Sequence, residues 1–116
     1  TMLTSYTVSF PAEGALPFPS PDAVNCAIAA FYSQQEFFIK TLKKQQWVQV
    51  DVRPLVHHLG LKPDGSLEIA IQPAGEKMPR LTDILGDILN LGDKQRKLLR
   101  IVKLSSSHSQ SSDTEL

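Results

Sequence analysis

The residues best suited to chemistry in this chain are the adjacent pair His57-His58, the lone Cys26, and the polar positions Asp51, Arg53, Glu68 and Gln72. Neighbouring side chains on an extended segment point to opposite faces, and on a helical turn they diverge by about 100°. The two histidines therefore do not converge on one metal, and neither a cysteine nor the remaining histidine stands at ligand spacing from them. They read as polar residues on an exposed turn, and no metal or cofactor is expected in this chain. Cys26 falls beside an apolar helical stripe, where an inert core or boundary thiol is expected. Asp51 and Arg53, two residues apart, read as sharing one strand face, with Glu68 and Gln72 on the following strand. Such a group can do acid–base work, but a solvated ladder of cross-strand pairs has the same pattern. No nucleophile–histidine–acid grouping and no carboxylate pair between apolar walls is present, so no catalytic residue is assigned.

Binding is the better-supported use of the polar residues. The run Lys94, Arg96, Lys97, Arg100 and Lys103, offset by Asp93, carries a local excess of positive charge. With Lys40, Lys43 and Lys44 it can form a patch that contacts phosphate. Trp47 falls on the hydrophilic side of its strand, where it can stack on a base or be covered by a protein partner. The candidate binding residues are thus Trp47, Asp51, Arg53, Lys94, Lys97 and Arg100. The aromatic-rich signature of an RNA-recognition motif is absent.

The elements that must position these residues centre on Trp47 to Pro73. Val48, Val50 and Val52 alternate with Gln49, Asp51 and Arg53, and Leu67, Ile69 and Ile71 alternate with Glu68 and Gln72. Two such runs joined by a Pro/Gly-bearing connector predict neighbouring strands with one buried and one wet face. Between them, Leu55 to Leu61 is expected as a helical turn, and Pro63-Asp64-Gly65 as a turn. Earlier in the chain, Tyr6, Val8 and Phe10 alternate with Ser5, Thr7 and Ser9 in a first strand. Ser20-Pro21-Asp22 is a helix start, with a hydroxyl N-cap and proline at the first helical position, and Val24, Ala27, Ile28 and Phe31 form its apolar stripe. Glu36 to Leu42 predicts a second strand, joined through Lys43 to Gln46 by a loop looser than an Asn-Gly hairpin turn. Leu81, Ile84, Leu85 and Ile88 predict a second helix, stopped at Asn90-Leu91-Gly92 with the glycine left-handed. Leu98 to Leu104 is the last strand. The order β-α-β-β-β-α-β predicts an α+β two-layer sandwich, a ferredoxin-like plait with an extra hairpin strand and two right-handed β-α-β units.

The 116 residues fit one domain, expected over 1–104, and 41% hydrophobic content supplies a modest core. A formal net charge of zero removes the global attraction by which strongly basic domains bind nucleic acid. A single cysteine gives no internal disulfide, and no apolar run reaches the ~20 residues of a membrane span, so a cytoplasmic chain with no membrane partner is expected. Residues 105–116, SSSHSQSSDTEL, are apolar-poor and predict a disordered tail. The opening Thr1-Met2 reads as the edge of a piece excised from a longer protein.

From VDVRPLV (Val50 to Val56) onward, the sequence resembles the C-terminal half of the radical SAM-linked domain of unknown function, found fused to or encoded beside B12-binding-type radical-SAM proteins in bacteria. The likeness continues through LGLKPDGSLEIAI (Leu59 to Ile71), PRLTDILGDILNLG (Pro79 to Gly92) and LLRIVKL (Leu98 to Leu104), and spans Ser5 to Leu104 overall. Asp51, Arg53, Pro54, Pro79 and Arg80 occupy its motif positions. The family's N-terminal half and the three-cysteine motif of a radical-SAM cluster are both missing. The resemblance therefore implies an accessory domain that holds a substrate or partner for chemistry done in a radical-SAM catalytic domain of the same or a neighbouring chain. The rival reading is a small RNA-binding module in RNA modification or processing.

Overall fold

A computed structural model of the chain describes residues 2–11, 17–73 and 78–108. It is a small α+β structure with a four-stranded antiparallel sheet, a separate hairpin and three helices. The elements run β1 (Met2–Ser9), α1 (Pro21–Ser33), β2 (Phe38–Lys43), β3 (Gln46–Asp51), a 3₁₀ turn (Arg53–Leu55), β4 (Val56–Leu61), β5 (Leu67–Ile71), α2 (Leu81–Leu89), α3 (Asp93–Lys97) and β6 (Arg100–His108). The main sheet has the order β4-β5-β1-β6, and β2 and β3 pair only with each other.

Alternation places Val8 of β1 and Leu67, Ile69 and Ile71 of β5 on the inner face, each at most 2% exposed. α1 turns Val24, Ile28 and Phe31 onto the core, and Ser20 caps it as its sequence requires, the hydroxyl accepting from the Ala23 N–H at 3.2 Å. α2 adds Ile84, Leu85, Ile88 and Leu89. The Tyr32 hydroxyl accepts the Leu59 N–H at 2.7 Å and donates to the Leu59 carbonyl at 3.0 Å, tying the end of α1 to β4.

Two expectations are corrected by this arrangement. Residues 48–52 and 67–71 are not neighbouring strands; β3 belongs to the separate hairpin and β5 lies inside the main sheet. Leu55 to Leu61 is not a helical turn, because Val56–Leu61 is strand β4, paired with β5. Val56 pairs with Ile71 and His58 with Ala70, so one extra residue bulges out and the two buried positions, Val56 and Leu59, stand three apart. That odd spacing hid the strand from a search for period two. Every described strand pairing is antiparallel, and the β2–β3 hairpin stands apart from the main sheet. A split β-α-β unit is present, since β5 and β6 both run antiparallel to β1 on either side of it and so parallel to each other.

Local geometry differs at three points. Lys44 and Gln45 both adopt positive φ, 49° and 64°, making a two-residue hairpin turn where a looser loop was expected. α2 ends on Asn90 in the left-handed region, φ 60°, while Gly92 is extended and begins α3, a short helix absent from the expected order. β6 starts at Arg100 and runs to His108, four residues into the stretch expected to be disordered; 109–116 lie outside the described residues.

Candidate functional site

The hairpin β2–β3 turns Ile39 and Thr41 inward, 1% and 6% exposed, and Phe38, Lys40 and Leu42 outward. Across the ladder Leu42 pairs with Trp47 and Lys40 with Gln49, so Leu42, Trp47, Lys40 and Gln49 share the outer face. Phe38, Leu42 and Trp47 are 53%, 55% and 69% exposed, and Trp47 is the most exposed of the large hydrophobic residues described. A two-stranded sheet covered on one side only leaves such a face open to water, which monomeric surfaces keep small. From Trp47 and Lys40 an open groove of about 350 Å³ runs between the hairpin and the α2–α3 pair, to Arg80, Asp83 and Arg96.

Asp51 and Arg53 do not share the strand face expected of them. Asp51 ends β3, and its Oδ1 accepts the Phe37 N–H at 2.9 Å and the Arg53 N–H at 3.1 Å, closing the base of the hairpin. Arg53 has left the strand for the 3₁₀ turn. Its Nε donates to the Gln34 carbonyl at 3.0 Å and its Nη2 to the Tyr32 carbonyl at 3.3 Å, carbonyls at the C-terminal end of α1. The guanidinium also lies 5.0 Å from the Phe31 ring centre and 5.2 Å from that of Tyr32. Both residues have structural partners that account for their types.

The basic candidates do not converge. Lys97 lines the α2–α3 groove with Arg80, Lys94 lines a different one with Pro17 and Gln95, and Arg100 is exposed at the start of β6. Arg96, treated above as one more cation of the run, is instead committed to α2. Its Nη2 donates to Asp87 at 2.8 Å, its Nη1 to Asp83 at 3.5 Å, and its Nε to the Leu91 carbonyl at 2.8 Å. Asp83 and Asp87 stand four apart with Gly86 nearby, and that spacing was the available signal.

The bulge in β4 leaves both histidines exposed on a strand rather than on a turn. His57 Nε2 bonds Gln72 Oε1 at 3.0 Å, and His58 Nε2 lies 3.4 Å from Glu68 Oε1. Among the described residues no cluster of histidine, cysteine and carboxylate side chains is arranged to hold a metal. Cys26 is exposed, not a core thiol. No described helix is long and apolar enough to cross a membrane. Compared with family models, with curated proteins and with solved structures, the chain matches none.

Proposed function

We propose that the chain is a non-catalytic accessory module that docks a protein partner through the outer face of its β2–β3 hairpin. The observation that carries this reading is Trp47, 69% exposed beside Leu42 and Phe38 on a face with no covering element among the described residues. Large aromatic side chains in such positions are the usual anchors of protein interfaces, where a few residues dominate affinity. The resemblance through VDVRPLV and LGLKPDGSLEIAI makes the partner the catalytic domain of a radical-SAM protein, in the same or a neighbouring chain.

The test is association, by calorimetry or retention on the immobilised chain, with the radical-SAM protein encoded beside or fused to this sequence. Trp47→Ala is expected to weaken that association by about 2 kcal/mol or more, as loss of an anchor does. Asp51→Asn, at the hairpin base, is expected to leave it unchanged. Absence of binding by the unaltered chain would sink the proposal.

A further inference from the structure

We infer that the free edge of β6 is a second docking site, which takes an extended, carboxylate-bearing segment of another protein as a fifth strand of the main sheet. The sheet ends on β4 and on β6, and its two edges differ. At β4 a bulge distorts the ladder, and the Tyr32 hydroxyl occupies both the N–H and the carbonyl of Leu59. Both features block the addition of a strand. β6 pairs with β1 alone, and among the described residues no side chain bonds its backbone. Its own irregularity lies past Lys103, so Arg100 to Lys103 is an uninterrupted run against Ser9 to Tyr6. An edge of this kind presents a row of unpaired N–H and carbonyl groups.

The side chains along this run select the occupant. Val102 is 49% exposed, and Arg100 and Lys103 are exposed without an ion pair among the described residues. Neither β6 nor β1 contains an aspartate or glutamate. Glu68, the carboxylate of the next strand, lies 3.4 Å from His58 on the side away from β6. Asp83 and Asp87 are bonded to Arg96, and the one acid of α3, Asp93, is outnumbered by Lys94 and Lys97. The edge thus keeps an excess of positive charge. Alternation puts Arg100 with Val102 on one face and Ile101 with Lys103 on the other. A strand laid alongside meets one cation and one apolar side chain on each face, which suits carboxylates interleaved with β-branched residues. A second copy of β6 would instead gather the cations of both copies on one edge, the device by which sheets resist self-pairing. Nucleic acid would meet the cations but has no ladder to complete with the backbone.

The experiment follows the backbone amide resonances of the full chain during titration with two short peptides, one alternating valine with glutamate and one valine with lysine. The glutamate peptide is expected to shift the amides of β6 and to bind about tenfold or more tightly than the lysine peptide at low salt, the difference shrinking as salt rises. N-methylation of the glutamate peptide along one edge, which removes its ladder donors, is expected to abolish binding. Arg100→Glu with Lys103→Glu, both at exposed positions, is expected to reverse the preference. Trp47→Ala is expected to leave it unchanged, because the hairpin belongs to a different sheet, so this site and the hairpin stand or fall separately. Equal affinities, undiminished binding of the N-methylated peptide, shifts confined to β2 and β3, or β6 shifts with single-stranded RNA but not with the glutamate peptide would each overturn the inference.

Discussion

Arg96 and Gly86 show how one residue's identity can depend on another's. A Cβ on Gly86 would run into the Cδ, Nε and Cζ atoms of Arg96, which cross α2 at this point to reach Asp83 and Asp87. The colliding atoms are the far end of a flexible side chain, so Gly86→Ala should displace Arg96 rather than distort the helix. The charged side chains of Arg96, Asp83 and Asp87 are partly exposed, and we expect Gly86→Ala and Arg96→Ala each to cost ~1–2 kcal/mol in denaturant unfolding, as charge-assisted bonds of this kind do. The double variant should cost no more than either single one, because both changes remove the same contacts. Fully additive losses would refute the shared cause. Asp64 presents a second local dependence. The Ser66 hydroxyl donates to its Oδ1 at 2.6 Å and the Ser66 N–H at 2.9 Å, and these bonds, with Lys62 nearby, hold its carboxyl below the ordinary value of 3.8. A folded-state pKa lowered in this way gives stability that is present above the ordinary value and lost as pH falls through the lowered one. Ser66→Ala should move the Asp64 carboxyl titration, followed by carbon NMR, back up toward that ordinary value. An unmoved titration would assign the shift to something other than the Ser66 hydroxyl.

The hairpin turn is the least favourable local choice among the elements described. Lys44 and Gln45 both occupy the left-handed region, where side chains with a Cβ are disfavoured and Asn-Gly is the preferred pair. Replacing them by Asn-Gly should therefore stabilise the chain by about 1 kcal/mol and leave the Leu42–Trp47 pairing intact. A lowered denaturation midpoint would contradict the two-residue turn. The hairpin also marks where sequence reasoning held and where it stopped. The two strands follow from EFFIKTL and WVQVDV, and both long helices follow from their apolar stripes, Val24, Ile28 and Phe31 in the first with its proline-bearing start, and Leu81, Ile84, Leu85 and Ile88 in the second. The tight turn was missed because its residues are poor choices for it. Strand β4 was missed because a bulge at His57 breaks period two, leaving Val56 and Leu59 at a spacing that suits a helix equally well. The short α3 was missed because its five residues, Asp93–Lys97, bury nothing and so leave no apolar stripe.

Taken over the whole molecule, the outward position of Trp47 was legible from strand alternation, but the surroundings of the candidate residues were not. The true neighbours of Trp47, namely Lys40, Leu42 and Arg80, depend on a hairpin leaving the main sheet to stand against α2, and no local pattern announces that placement. The run Lys94, Lys97 and Arg100 looked like one patch because it is compact in sequence, yet those residues line separate surfaces. This separation decides what to expect of nucleic acid. With a net charge of zero there is no long-range attraction, so RNA affinity would have to come from phosphate contacts gathered near a stacking ring. Lys94, on its own groove with Pro17, is not positioned to cooperate with a base on Trp47. We therefore expect single-stranded RNA to bind weakly and without sequence preference at physiological salt. Neutralising Lys94, Lys97 and Arg100 together should then leave the salt dependence of that weak binding nearly unchanged. An RNA-binding module would instead lose a slope of about 0.7 for each single-strand phosphate contact removed, and Trp47→Ala would cost it ~1–3 kcal/mol. Fluorescence titrations at several salt concentrations separate the two. Sub-micromolar RNA binding that disappears with Trp47→Ala would replace the docking module with an RNA reader.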